Sequence, residues 1–371
     1  MSVLNSIASP TLLLNEAVCK ANIDRMSKKA KEHQVALIPH FKTHQSLEIG
    51  KWYREFGIDE ITVSSIQMAA YFSGQSWQKI HIAFPFNPLE IDLLNTLTKS
   101  CPISIQLVNV QVARTLAERL TNPVDFFIEI DAGYGRAGVE VSDFGTIEAI
   151  MRIANRSEKL AFRGFYIHAG HTYHTDHSGI RKIHEQTKSA LKMLKDKYCD
   201  EFPEMVTRSG DTPSCSIEDD FRGIDEIGPG NFVFYDLTQA SIGSCDKSDI
   251  AIALATPVVD IKKETHEILV HGGGVHLAKD VLTNPDGTNN YGEVVLLTEQ
   301  GWTIPTTTSF LKSISQEHGL IKATDELLNN TQIGDILGIL PVHSCMTADC
   351  MRGYLSLNGE KLDHLKGQKA Y

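Results

Sequence analysis

The chain has 371 residues, of which 42% are hydrophobic, and a formal net charge of −11. This length exceeds what one barrel usually needs, so we expect a second domain. The negative charge disfavours a nucleic-acid partner, because phosphate binding needs clustered Lys and Arg. Seven cysteines without a paired framework suit a reducing compartment. Because the sequence contains no apolar run of about 18 residues and no signal-like N-terminus, we expect a cytoplasmic protein without a membrane partner.

Short apolar runs alternate with helical patterns over the first two thirds of the chain. Eight strands alternating with helices predict a parallel (β/α)8 barrel, a fold of the α/β class. The predicted strands are residues 35–38, 61–63, 80–84, 103–108, 126–130, 162–167, 205–207 and 226–227.

The pattern changes after about residue 245 to strands separated by turns rich in Gly, Asp and Asn. Residues 250–261, 267–270 and 294–297 have the composition of strands. We therefore predict a barrel domain over residues 13–245, followed by a smaller all-β domain over residues 246–371.

The first barrel strand leads into Pro39-His40-Phe41-Lys42-Thr43-His44, which puts Lys42 at the strand's carboxyl end. Catalytic groups of a barrel lie at that end. A partly desolvated lysine beside histidines can lose its proton and attack an aldehyde. The same segment, taken alone, also fits a surface lysine that closes a strand.

From Ser9-Pro10-Thr11-Leu12 to His44, the chain resembles the D-threonine aldolase and D-serine dehydratase family, relatives of the alanine racemase barrel. The resemblance runs nearly the full length of the chain. It implies that pyridoxal 5'-phosphate (PLP) is the cofactor and that Lys42 binds it. It also implies that residues 1–12 join the β domain and that the protein is a homodimer.

Two further loops follow predicted strands. Residues 131–139 combine glycines, which allow close backbone approach, with the permanent charge of Arg136. The next strand ends with Tyr166 and His168. A surface arginine and a core histidine are the structural alternatives. The resemblance implies that Arg136 contacts the phenolic oxygen side of PLP and that His168 or Tyr166 lies against its ring.

Small residues with exposed amides follow the last two predicted strands. They include Gly210 and Thr212 in one loop and Gly230 and Asn231 in the other. Barrels commonly bind phosphate at this place. We therefore predict that both loops hold the cofactor phosphate. Alanine racemases have an arginine where this chain has Gly228, and this difference argues against classifying the chain as an alanine racemase.

A histidine and a cysteine stand two positions apart in Pro341-Val342-His343-Ser344-Cys345. In an extended strand both side chains would point to one side and could bind one ion. A buried histidine and cysteine without metal is the alternative. The family resembled has a His-x-Cys metal pair here in its dehydratases, and a thiolate favours zinc over manganese or magnesium.

The run from His271 to Asp280 fits either a structural turn or a wall of the active site. The resemblance implies a PLP-dependent lyase whose small-molecule substrate is a D-β-hydroxy amino acid, and Cys345 favours dehydratase over aldolase. An amino-acid racemase and a non-catalytic PLP-binding protein are the alternatives. The second of these would lack the β domain and its metal pair.

Overall fold

The computed structural model describes residues 3–366, so residues 1–2 and 367–371 of the predicted β domain lie outside the described part. The strands are β1 (Thr11–Leu14), β2 (Ala36–Leu37), β3 (Glu60–Val63), β4 (Lys79–Pro85), β5 (Ile103–Leu107), β6 (Val124–Asp131), β7 (Val139–Glu140), β8 (Leu160–Ile167), β9 (Val206–Ser209), β10 (Glu226–Ile227), β11 (Ile252–Lys262), β12 (Glu267–His271), β13 (Leu282–Thr283), β14 (Asn289–Asn290), β15 (Gly292–Thr298), β16 (Gly301–Thr303), β17 (Phe310–Ile314), β18 (His318–Lys322), β19 (Ile336–Pro341), β20 (Tyr354–Ser356) and β21 (Lys361–Leu362).

The α-helices are α1 (Glu16–Glu32), α2 (Leu47–Arg54), α3 (Ile66–Ser73), α4 (Ile91–Leu97), α5 (Val110–Arg119), α6 (Phe144–Ala154), α7 (His177–Tyr198), α8 (Thr212–Ile217), α9 (Leu237–Ser241), α10 (Gly274–Leu277), α11 (Asp325–Asn330) and α12 (Ser344–Met351). No helix within residues 3–366 combines the length and apolar character needed to cross a membrane.

The chain divides into two compact units. The barrel unit comprises Asp24–Lys42 and Gly50–Gly230, and the β unit comprises Met1–Ile23, Thr43–Ile49 and Asn231–Tyr371. The domains expected from the sequence, residues 13–245 and 246–371, were defined as independently folding parts, and these limits remain a prediction.

The barrel unit contains eight parallel strands in the order β2-β10-β9-β8-β6-β5-β4-β3. Backbone hydrogen bonds close the ring beyond β2: Phe41 N donates to Thr62 O at 2.8 Å, and Thr62 N donates to Pro39 O at 2.9 Å. All eight strands expected from the apolar runs are present, so the predicted α/β barrel is confirmed.

Alternation along β6 separates the inside of the barrel from the helix layer. The Phe127 ring lies 5.0 Å from the His81 ring and 4.5 Å from the Arg208 guanidinium, and both partners come from other barrel strands. The neighbouring Phe126 instead packs against Phe162 on the opposite face, with ring centroids 5.6 Å apart. The odd-numbered residues of β6 therefore face the barrel interior.

The β unit is built on one large, mostly antiparallel sheet in the order β12-β18-β17-β15-β19-β11-β1-β20-β21. The three strands expected in this region correspond to β11, β12 and β15. β1 is hydrogen-bonded to β11 and β20. The buried core of the β unit includes Leu254, Val270, Val294, Leu311 and Ile339.

The extended strand in which His343 and Cys345 would point to one side is not formed. β19 ends at Pro341, and α12 begins at Ser344 with His343 at its N-cap position. The first turn of α12 is capped by a residue far away in the chain. The buried Asp236 carboxylate accepts a hydrogen bond from the Ser344 amide at 3.0 Å.

Candidate cofactor and metal sites

The backbone at Lys42 is anchored by the preceding residue, Phe41. Phe41 is fully buried, and its ring lies 4.8 Å from Tyr53, 5.1 Å from Phe72 and 5.3 Å from Trp77. The Lys42 side chain is exposed beyond this aromatic cluster, and its amide donates to His40 Nδ1 at 3.2 Å. The backbone is thus anchored while the amine remains accessible at the carboxyl end of β2.

His40 and His168 are both uncharged near neutral pH. Burial lowers the pKa of His40 well below its usual value, and the charge of Lys42 lowers it further. Burial, followed by the charges of Lys42 and Arg136, lowers the pKa of His168 to about 3. His168 Nδ1 donates to the Gly210 carbonyl, so the neutral ring keeps its lone pair on Nε2. The structure therefore brings together His168 and Gly210, which were predicted separately for the cofactor ring and its phosphate.

Tyr166 and Gly210 meet at the carboxyl ends of β8 and β9. A Cβ atom at Gly210 would lie 2.6 Å from Tyr166 Oη, so a larger residue would displace the phenol. Burial, followed by the charge of Glu129, raises the pKa of Tyr166 above its usual value. The phenol therefore stays protonated and can donate a hydrogen bond.

The loop that carries Arg136 is a formed turn. The Asp131 carboxylate accepts hydrogen bonds from Gly133 N and Gly135 N at 2.9 Å each, and both glycines have positive φ. Tyr134 stacks on His171 with centroids 5.8 Å apart. The Arg136 guanidinium lies 5.2 Å from the Tyr134 ring, which directs this exposed cation to the same end of the barrel.

Thr212 opens α8, with Asp211 as its N-cap. Thr212 N donates to Tyr173 Oη at 3.3 Å, and the Asp211 carboxylate accepts from Ser214 N at 2.7 Å. The Ser214 hydroxyl is buried and interacts with the same Asp211 carboxyl group. Hydroxyl and amide donors at a helix start are groups that can bind a phosphate oxygen. Gly230 ends the barrel unit, whereas Asn231 belongs to the β unit.

The Asn231 carboxamide serves the β unit. It donates to the Asp236 carboxylate at 2.6 Å and to Ser344 Oγ at 3.1 Å, and it lies 3.6 Å from Cys345 Sγ. Asp236 is buried, and burial raises its pKa. This cluster fixes the start of α12 and therefore the position of the predicted metal pair. The side chain of Asn231 is turned to that pair, whereas it was predicted to bind the phosphate.

His343 and Cys345 are hydrogen-bonded side chain to side chain. Burial alone would lower the pKa of His343, but the hydrogen bonds to Asp280 and Cys345 raise it above its usual value. His343 Nδ1 lies 3.2 Å from Asp280 Oδ1, and Cys345 Sγ lies 3.2 Å from Thr43 Oγ1. A carboxylate on one ring nitrogen leaves the other free to bind a metal, as at many zinc sites. The donor set therefore fits a zinc ion.

Asp280 was missed as a site residue when the sequence was considered alone. Its signal was its place at the end of the glycine-rich run from His271, for which a structural turn and an active-site wall were both considered. The structure places this last residue against His343, 63 positions further along the chain.

A second group, formed by His271, His276 and Glu317, brings three metal-ligand atoms within 4.8 Å of one another. Gly273 N donates to His276 Nδ1 at 3.2 Å, so the neutral ring carries its proton on Nε2. That nitrogen faces Glu317 Oε2 at 3.6 Å. This tautomer favours a hydrogen bond to the carboxylate over metal binding.

Comparison with known proteins places both parts of the chain. Residues 14–236 match the family described as "Alanine racemase, N-terminal domain", and residues 251–357 match the "Putative serine dehydratase domain". D-serine dehydratase of Dictyostelium discoideum is 27% identical, with 96% of this chain and 95% of that protein covered. D-threo-3-hydroxyaspartate dehydratase of Delftia sp. strain HT23 is 25% identical, with 95% of each protein covered.

The solved structure of the Delftia dehydratase superposes with a TM-score of 0.90 at 24% identity, covering 99% of this chain and 100% of that one. D-threonine aldolase of Filomicrobium marinum superposes with a TM-score of 0.82 at 20% identity, covering 97% and 96%. Two further solved structures of a D-threo-3-hydroxyaspartate dehydratase are variants in which a histidine and, two positions further, a cysteine are replaced by alanine, the second in a metal-free form. The match over residues 14–236, on the barrel that carries Lys42, shows that this chain belongs to the alanine racemase N-terminal domain family.

Proposed function

We propose that the protein is a PLP-dependent lyase acting on D-configured β-hydroxy amino acids, with dehydration favoured over retro-aldol cleavage. The observation that carries the proposal is the His343–Cys345 pair with Asp280 on a chain whose relatives include two dehydratases matched over nearly their full length. The D configuration is taken from the names of those relatives.

The barrel unit offers a consistent set of groups for the cofactor. Lys42 would hold its aldehyde carbon, Ser214 Oγ and the Thr212 loop would bind its phosphate, and Tyr166 and His168 would border its ring. When bound there, PLP accepts the electrons released by a bond broken at the α-carbon. Because His40 and His168 are neutral, neither ring repels the cation of Lys42.

Lys42 would also move the proton. The Lys42 amine, at the carboxyl end of β2, would then serve as the base that takes the α-proton of the substrate. Loss of the β-hydroxyl as water then gives an enamine product that hydrolyses to a 2-oxo acid and ammonia. If a base instead takes the proton of the β-hydroxyl, the bond between the α- and β-carbons breaks, and the products are an aldehyde and a shorter amino acid.

His343 Nε2 and Cys345 Sγ would hold a divalent ion, with zinc favoured by the thiolate and manganese or magnesium as alternatives. Such an ion supplies a Lewis acid for the β-hydroxyl oxygen. Asp280 orients the imidazole through Nδ1. The spacing of this pair matches the two positions replaced in variants of D-threo-3-hydroxyaspartate dehydratase, of which the cysteine variant was solved in a metal-free form. The proposed homodimer remains a prediction.

The test is incubation of the PLP- and zinc-loaded protein with D-serine, D-threonine and D-3-hydroxyaspartate, with the L-enantiomers as controls. We expect a 2-oxo acid from D-serine or D-3-hydroxyaspartate and none from the L-forms. Aldehyde from D-threonine would instead identify an aldolase, and inverted amino acid would identify a racemase. Bound PLP without turnover of any substrate would favour the non-catalytic PLP-binding protein.

A further inference from the structure

Thr43 directly follows the proposed cofactor lysine, and its surroundings differ from those of Lys42. The Thr43 side chain is fully buried, whereas the Lys42 side chain is exposed. The Thr43 hydroxyl lies 3.2 Å from Cys345 Sγ, 302 positions further along the chain. The residue after the lysine therefore contacts one of the two predicted metal ligands.

The direction of this hydrogen bond follows from the chemistry of cysteine. The distance alone allows either the hydroxyl or the thiol to be the donor. A cysteine binds a metal as a thiolate, which has no proton to donate. The Thr43 hydroxyl must then be the donor, and hydrogen bonds to an ionised group are the stronger kind. The Asn231 amide group, 3.6 Å from Sγ, is a second donor to the same atom.

The backbone around Thr43 is held within the β unit. The carbonyl of His44 accepts a hydrogen bond from the buried Tyr354 hydroxyl at 2.6 Å. The Ser46 hydroxyl donates to the Asp363 carboxylate at 2.7 Å. Because a β-branched side chain on an anchored backbone has few rotamers, the Thr43 hydroxyl is a fixed donor.

The partner of this hydroxyl is unusual among the buried threonines. The Cys345 sulfur is its only hydrogen-bond partner among residues 3–366. Thr62, by contrast, donates to a backbone carbonyl at 2.9 Å, and Thr256 of the β unit does so at 3.1 Å. A neutral thiol is a weak acceptor, whereas a thiolate is a charged one. The contact therefore suits a cysteine that binds a metal.

We propose that Thr43 is a positioning residue of the metal site, whose hydroxyl donates to the Cys345 thiolate and holds the sulfur in place for a divalent ion. The inference rests on the proposed function, because it assumes that His343 and Cys345 bind this ion. It gives each ligand a supporting side chain: Asp280 orients the imidazole, and Thr43 orients the sulfur.

The experiment measures the zinc dissociation constant of the PLP-loaded protein by competition with a chelator. Thr43→Val keeps the branched shape but removes the hydroxyl, and it should bind zinc about tenfold more weakly, as is typical when a residue supporting a metal ligand is lost. Thr43→Ser keeps the hydroxyl and should bind zinc nearly as the wild type does. Thr256→Val makes the same change at a buried threonine of the β unit and should leave zinc affinity unchanged.

A second comparison removes the effect of the added methyl group. Thr43→Ser and Thr43→Ala differ only in the hydroxyl, so Thr43→Ala should reproduce the loss of zinc affinity while Thr43→Ser does not. The PLP absorption should stay the same in all of these variants, because Lys42 is untouched.

Cobalt in place of zinc reports on the sulfur directly. The visible absorption bands of protein-bound cobalt(II) depend on its ligands, so they should shift in Thr43→Val and remain as in the wild type in Thr43→Ser and Thr256→Val.

The two proposals fail in different ways. A wild type that binds no zinc overturns the proposed function and this inference with it. A wild type that binds zinc, with Thr43→Val and Thr43→Ala equal to Thr256→Val in zinc affinity and cobalt spectrum, overturns only the role of Thr43. Loss of both PLP and zinc in Thr43→Ser as well would show that the residue supports the fold rather than the sulfur, which also overturns it.

Discussion

His168 of the barrel unit and His343 of the β unit are both partly buried, yet their pKa values are shifted in opposite directions. Burial lowers the pKa of His168, and the neighbouring cations Lys42 and Arg136 lower it further, to about 3. His343 has Asp280 and Cys345 for neighbours, and its pKa rises despite burial. Burial lowers the pKa of both rings, and the neighbouring charges add to this effect at His168 but oppose it at His343. His168 therefore stays neutral, whereas the negative charges around His343 attract a proton or a metal ion.

Removing the positive charge of Lys42 beside His168 should have the largest effect. Lys42→Ala should lose the near-visible absorption of the cofactor and lower turnover by roughly 10³-fold or more, because the proposed attachment point and proton carrier are both gone. Borohydride reduction of the wild type should fix PLP on the peptide containing Lys42.

The same variant tests the electrostatic argument. Without the Lys42 charge, the pKa of His168, followed by NMR, should move up toward its ordinary value. The exposed Lys99→Ala is the control and should change neither property. A coloured, active Lys42→Ala protein would contradict the assignment.

Removing the Cys345 thiol beside His343 should lower turnover without weakening PLP binding. Cys345→Ala should lose bound metal and lower turnover by about 10²-fold, since a Lewis acid supplies several kcal/mol. Metal analysis and the cofactor spectrum, measured on one sample, separate the two effects. Cys350→Ala, on the same helix, should behave as the wild type. Full activity of metal-free Cys345→Ala would exclude a metal role.

Glu129 gives a prediction for the cofactor-free protein. The unfolded chain ionises this carboxyl near pH 4.5, whereas the folded protein does so at about 7. The folded state therefore keeps a proton that the unfolded state has lost, so the free energy of unfolding falls as pH rises between these values.

Glu129→Gln removes this cost, and at pH 8 it should be more stable than the wild type by ~3 kcal/mol. The gain should shrink toward pH 5. Urea unfolding at both pH values measures it, with Glu140→Gln as the control. An equal gain at the two pH values would contradict the assigned titration.

The smallest effect concerns the orientation of His343. Asp280→Asn keeps the shape of the side chain but removes the charge that attracts the Nδ1 proton. We expect zinc affinity to fall by about tenfold, measured by competition with a chelator, with little change in stability. The exposed Asp200→Asn serves as the control. Unchanged zinc affinity would show that Asp280 does not contribute to metal binding.

The barrel was predictable because its signal is local. Each parallel strand is buried on both faces, so it appears as a short apolar run, and the family assignment and α/β fold class that followed are confirmed. The positions of Lys42, Tyr166 and His168 at strand ends followed from the same pattern. Their roles as site residues remain predictions.

The surroundings of the metal pair were not predictable, because they depend on distant residues. The start of α12 is set by Asp236, 108 positions before Ser344 in the chain. The buried carboxyl group of Glu129 was also not singled out, although it is the one charged residue within the apolar run of residues 126–130. The shorter strands β16 to β18 carry exposed residues, which weakens their apolar pattern.

The carboxylate of Asp236 has a consequence for protein engineering. It caps α9 through Gln239 N at 2.9 Å and also accepts from the Ser344 amide that begins α12. A chimera of two related enzymes joined at residue 246 would take Asp236 from one parent and Ser344 from the other. A junction placed before Asn231 would keep both from the same parent. Recombination libraries should therefore recover more folded proteins from the earlier junction than from the later one.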